Sequence, residues 1–120
     1  MKTVLIVEDV ELNRDLLVQL LEEKYRLVVV ADAEAALQKA AAEKPDAILM
    51  DLSLPRMDGW EATRRLKEDD ALKSIPVIVL SAHAMLRDEE RARTSGCDDF
   101  LTKPIDEDLL YETLARHLGG

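Results

Sequence analysis

Short apolar runs rich in β-branched residues alternate with longer stretches of helical period along the 120-residue chain, and no other feature constrains the fold as much. The runs are Thr3–Val7, 27–30, 47–52, 77–80 and a weaker one at Asp99–Thr102. Between them, Leu12, Leu16, Leu17, Leu20 and Leu21 form a helical stripe, and Asp32 stands where an N-cap would open an alanine-rich helix over 33–42. Three further helices are predicted over Gly59–Glu68, 86–95 and Glu107–Leu118, the last capped by Asp106. Near-continuous apolar strands joined by crossover helices must be covered on both faces, and each crossover packs back with the right-handed sense. The expected architecture is therefore α/β: one doubly wound domain over residues 1–120, built on a mostly parallel sheet. Pro45, Pro55, Pro76 and Pro104 all fall at predicted element boundaries.

Charge narrows the partners. Asp and Glu outnumber Lys and Arg by 25 to 16, a formal net charge of −9, which repels a nucleic-acid backbone. The single cysteine, Cys97, has no intramolecular partner, and the first apolar run stops at Glu8, too short for a signal peptide or membrane span. The chain reads as cytoplasmic, with no membrane and no direct nucleic-acid contact.

In open α/β sheets the functional crevice lies beyond the carboxyl ends of the strands. The residues there are unusually polar: Glu8 and Asp9 after the first strand, Asp51 near the end of the third, Ser81 after the fourth, and Lys103 with Pro104 after the fifth. Crowded carboxylates repel one another, and a hard divalent cation with oxygen ligands neutralises them; few ligands and retained waters suit Mg²⁺ better than Ca²⁺. A carboxylate can also attack phosphorus to form an acyl phosphate, provided positive charge faces the transferring group, and Mg²⁺ with Lys103 would supply it.

Taken singly, each residue has a blander role. Glu8 or Asp9 would cap the first helix, Asp51 the third, Ser81 would sit in a turn, and Lys103 would be a solvated charge. Taken jointly these roles fare poorly, because Asp51 belongs to an otherwise apolar strand, where an unpaired charge is costly.

At these residues the sequence resembles the receiver domain of two-component response regulators, from Val4 to about Leu118. The resemblance rests on Asp51-Leu-Ser-Leu-Pro-Arg-Met-Asp-Gly59, Ser81-Ala82 and Lys103-Pro104, in the family's order. It implies a flavodoxin-like (βα)5 fold with strand order 2-1-3-4-5. It also implies that Asp51 is the phosphoacceptor, that Asp9, Asp51 and the Ser53 backbone carbonyl hold Mg²⁺ (or Mn²⁺), and that Glu8 reaches the metal through water. Lys103 would pair with one phosphoryl oxygen and the Ser81 hydroxyl with another, while Pro104 would follow a cis peptide bond. Phe100 resembles the family's switching aromatic. Ser53 and His83 occupy positions that influence acyl phosphate hydrolysis. Glu8 stands where aspartate is more usual and Ser81 where threonine is frequent, and both remain chemically competent.

The implied donor is a phosphohistidine of a histidine kinase or phosphotransferase in a phosphorelay, docking on the surface that presents Asn13, Arg14, Leu16, Leu17, Pro104 and Ile105. The implied output is a change in the face made by the 86–95 helix, the fifth strand and the Glu107–Leu118 helix, read by a downstream protein. The chain would then be a monomer or a phosphorylation-linked dimer. His83 reads as a rim residue, His117 as a partner of the helix dipole, and Cys97 and Trp60 as packing; Met57 and Met85 are bland by default, with the site's approach as the alternative place for each.

Two other classes compete. A phosphatase of the haloacid-dehalogenase type needs a second aspartate two residues after its nucleophile, where this chain has Ser53. A binding module that has lost phosphorylation is opposed by the intact acidic pair, Asp51, Ser81 and Lys103. No glycine-rich phosphate loop follows the first strand. The expected activity is thus not an enzyme's, beyond the domain's own phosphorylation and dephosphorylation. The chain reads as a stand-alone regulator, an excised part of a longer regulator or hybrid kinase being the alternative.

Overall fold

The computed structural model describes residues 1–52, 59–81 and 95–119. In chain order its elements are β1 (Thr3–Val7), α1 (Glu11–Leu21), β2 (Arg26–Val30), α2 (Ala33–Glu43), β3 (Ala47–Asp51), α3 (Gly59–Glu68), β4 (Val77–Ser81), β5 (Asp99–Thr102) and α4 (Glu107–Leu118). The helix predicted over 86–95 lies outside the described residues, except for Ser95. All five strands are parallel, in the order β2-β1-β3-β4-β5, as the resemblance implied.

The period-2 alternation of each strand splits the core in two. Leu5, Val7, Ile48, Met50, Val77 and Val79 face α2 and α3, while Val4, Ile6, Leu49, Ile78 and Leu80 face α1 and α4. Every residue of β3 and β4 is buried, which explains their lack of polar alternation in sequence. Each buried Leu, Ile or Val side chain stabilises the fold by roughly 1.5–3 kcal/mol relative to exposure. Strand β2, at the sheet's edge, leaves Val29 exposed.

Local signals act where they were expected. Asp32 accepts a hydrogen bond from the Ala35 N–H at 2.8 Å and caps α2; Asp106 accepts one from the Leu109 N–H at 3.1 Å and caps α4. Helix α1 is different, since its N-cap is Val10 and no side chain caps it. Of its leucine stripe only Leu17 and Leu21 reach the core fully, whereas Leu12 is 79% and Leu16 48% exposed. The stripe is wider than the core it covers.

Candidate functional site

The parallel register brings the carboxyl ends of β1, β3, β4 and β5 to one edge. Val7 pairs with Met50, Asp51 with Leu80, and Ser81 with Thr102. Asp51 is the last residue of β3, one residue short of the predicted strand end, and Ser81 is the last of β4 rather than a turn residue. Glu8 continues directly from β1 and its N–H donates to the Val30 carbonyl at 3.1 Å.

Glu8, Asp9 and Asp51 each offer one carboxylate oxygen, and these oxygens lie within 4.8 Å of one another. Glu8 is completely buried and Asp51 is 2% exposed, while Asp9 faces solvent. Lys103, arriving from the end of β5, donates from Nζ to Glu8 Oε1 at 3.0 Å and to Asp51 Oδ1 at 3.1 Å. Its amide N–H is held by the Ser81 carbonyl at 2.7 Å, and the Lys103–Pro104 peptide is cis. None of the bland roles describes these groups. Neither Glu8 nor Asp9 caps α1, Asp51 lies well before α3 begins, and Lys103 is bound to two carboxylates.

The electrostatics are unbalanced. Three carboxylates face one ammonium, and Glu8 Oε2 has no hydrogen-bond partner among the described residues. Burial, followed by hydrogen bonding to Asp51, pushes the Glu8 pKa up from 4.5 to about 7. Burial works to lower the Lys103 pKa, but the hydrogen bonds it donates to Glu8 and Asp51 outweigh it and raise the value. An all-oxygen donor set with excess negative charge fits a hard divalent cation, and with all three carboxylates ionised one such ion would cancel the two uncompensated charges.

Beside the cluster, a cleft of about 120 Å³ opens between α1 and the segment after β5. Asn13, Leu16 and Leu17 line one side, Pro104 and Ile105 the other, and Glu8 and Lys103 connect it with the acidic site. Five of the six residues expected on the docking surface therefore surround one cavity; Arg14 does not line it, and its guanidinium donates instead to the Glu8 carbonyl at 3.4 Å. Phe100 sits in β5 opposite Val79, half-buried against the α3 side of the core. Ser53, Met57, His83 and Met85 lie outside the described residues.

Three arrangements were not foreseen. Trp60 is more than packing, since its ring stacks on Phe100 with centroids 6.4 Å apart and planes 9° from parallel. Lys67 of α3 donates to the carbonyls of Lys73 and Ile75 at 3.1 and 2.9 Å and to Asp98 Oδ2 at 2.6 Å, tying the segment before β4 to the residue before β5. His117, expected at a helix dipole, faces Asp99 at 3.2 Å beside Arg116, which also pairs with Asp99. An aromatic on the first turn of α3 and another in β5 was the one available signal for the stack.

A family profile described as response regulator receiver domain matches residues 4–115. The polar-differentiation response regulator DivK of Brucella anthropi is 44% identical over 119 residues, covering 98% of this chain and 97% of that protein. The signal receiver domain of a signal transduction histidine kinase from Syntrophus aciditrophicus superposes with a TM-score of 0.93 at 36% identity, covering 100% of this chain and 92% of that one. The receiver domain of a sensor histidine kinase from Pseudomonas aeruginosa PAO1, with a magnesium ion coordinated in its active site cleft, gives a TM-score of 0.91 at 35% identity over 99% of this chain and 98% of its own. Among the described residues, no helix is long and apolar enough to cross a membrane.

Proposed function

The chain belongs to the response regulator receiver domain family, and on that premise we propose that Asp51 accepts a phosphoryl group from a phosphohistidine and stores it as a signal. One observation carries this reading: the Lys103 ammonium bridges Glu8 and Asp51 inside a cluster of three carboxylates at the carboxyl edge of the sheet. That arrangement pairs a nucleophilic oxygen with a fixed positive charge beside it.

In the transfer, an Asp51 carboxylate oxygen attacks phosphorus in line with the donor's P–N bond. The new O–P bond forms as the P–N bond breaks, and the electron pair returns to the imidazole, which leaves as neutral histidine after taking up a proton. Lys103 holds positive charge against the equatorial oxygens. The Ser81 hydroxyl, at the end of the neighbouring strand, donates to another. Asp9 and Asp51, with Glu8 behind them and the Ser53 carbonyl outside the described residues, would hold Mg²⁺ or Mn²⁺. Such an ion supplies charge neutralisation for the cluster and the phosphoryl oxygens.

The donor, a histidine kinase or histidine phosphotransferase, docks over the cleft lined by Asn13, Leu16, Leu17, Pro104 and Ile105, which opens onto the acidic site. Exposed Leu12 and Leu16 extend that apolar surface. After transfer, the added charge on Asp51 draws Ser81 toward it and Phe100 reorients, changing the surface presented by β5 and its neighbouring helices to a downstream protein. Ser53 and His83 tune how long the acyl phosphate survives.

Replacing Asp51 with Asn tests the assignment. Acetyl phosphate with Mg²⁺ should radiolabel the wild-type chain and leave Asp51→Asn unlabelled, with circular dichroism unchanged. Undiminished labelling of the variant would sink the proposal.

A further inference from the structure

Trp60 is the chain's only tryptophan and the second residue of α3. The residue before it, Gly59, presses on the end of β3: a Cβ there would lie 2.4 Å from the Asp51 carbonyl oxygen and 2.9 Å from Leu52 Cα. The first turn of α3 is therefore seated directly on the backbone of the acidic site. The indole projecting from that turn is 7% exposed and lies almost parallel to the Phe100 ring, at a centroid distance typical of an offset stack. Phe100 itself is only half-buried, in a strand of four residues at the sheet's edge. Among the described residues, Trp60 is the aromatic side chain stacked on its ring.

From this geometry we infer that Trp60 is the positioning residue that holds Phe100 in its resting orientation, and so sets how often the unphosphorylated domain visits its switched form. The inference rests on the reading of Asp51 as phosphoacceptor and Phe100 as the switching aromatic. Phe100 leaves its present position only by giving up the stack. Because Trp60 is carried by the turn that abuts Asp51, the resting contact and the acidic site meet at the first turn of α3.

An offset aromatic pair shifts a two-state equilibrium by about two- to tenfold. Linkage then requires that removing the indole raise the affinity of any ligand that favours the switched form by up to the same factor. A tryptophan that merely fills space would lose stability on truncation and leave that affinity alone.

The test compares the full-length wild-type chain with Trp60→Phe and Trp60→Leu by aromatic NMR, with and without beryllofluoride and Mg²⁺ as the acyl phosphate mimic. In the wild type, Phe100 ring protons should show an upfield ring-current shift and cross-peaks to Trp60, and both should disappear on addition of beryllofluoride. In Trp60→Leu, Phe100 resonances should already be displaced toward the liganded positions, with half-saturation at about two- to tenfold lower beryllofluoride. Trp60→Phe retains a ring and should fall between the two; it carries the comparison should the leucine variant not fold. Cross-peaks that persist in the liganded wild type, or equal half-saturation in wild type and variants, overturn the inference. If beryllofluoride leaves the Asp51 and Lys103 amides of the wild type unmoved, the phosphoacceptor reading falls and takes the inference with it.

Discussion

Lys103 Nζ lies 3.1 Å from Asp51 Oδ1 across a sequence separation of 52 residues, a meeting made possible because β3 and β5 flank β4 in one parallel sheet. The ammonium is the only positive charge among the described residues in ion-pair contact with the acidic cluster. Replacing Lys103 with Met should slow labelling by acetyl phosphate about 10²–10³-fold, the usual cost of removing one preorganised charge from a developing transition state. Time courses of ³²P incorporation measure this, and a rate within threefold of wild type would remove Lys103 from the chemistry.

The buried carboxyl of Glu8 predicts a pH signature. Its pKa is raised from 4.5 to about 7, so between those values the folded protein keeps a proton that the unfolded chain has released. Its contribution to stability is therefore fully present below about pH 4.5 and is lost as pH rises through about 7. Glu8→Gln abolishes this loss, so the stability of the variant relative to wild type should grow with pH across that window, by on the order of 1–3 kcal/mol. Urea denaturation at several pH values, with chelator present, reads the difference. A relative stability independent of pH would place the Glu8 pKa near its ordinary value.

Two buried threonines make opposite predictions. Thr63 Oγ1 donates to the Gly59 carbonyl at 2.7 Å, whereas Thr113 Oγ1 is buried with no partner among the described residues. Valine has the same shape and no hydroxyl. Thr113→Val should raise stability by about 1 kcal/mol and Thr63→Val lower it by about as much, following the cost of a buried unpaired hydroxyl and the value of a made hydrogen bond. Thermal melts of the two variants suffice, and equal signs would contradict the account.

Gly59 is required by proximity. The 2.4 Å and 2.9 Å approaches a Cβ would make are to backbone atoms, which cannot rotate away. Gly59→Ala should cost roughly 1–3 kcal/mol through displacement of α3 from β3. It should also slow Asp51 labelling, because the displaced backbone carries the acceptor. Stability and labelling measured on the same preparation check both halves; loss of neither would show that the turn can shift freely.

Much of this was legible beforehand, for a physical reason. In a parallel sheet, strand ends align, so Glu8, Asp9, Asp51, Ser81 and Lys103 converge wherever five apolar runs pair in the order found. Side-chain capping is equally local, which is why Asp32 and Asp106 could be assigned from neighbouring residues alone. The same reasoning gave the helix and the stripe of α1 but not its burial, because hydrophobic spacing shows that leucines share a helix face but not how much of that face the sheet covers.

By itself the sequence determined the alternation of strand and helix, the two-faced core and the chemical inventory of the site, all of which follow from residue spacing and the polarity of strand ends. Tertiary structure decided what depends on how packed elements meet: that Glu8 loses all solvent, that Lys103 bridges two carboxylates, and that Trp60 lies flat against Phe100. Such contacts are set by the distances between elements and the rotamers that fit between them, and no period along the chain encodes those quantities.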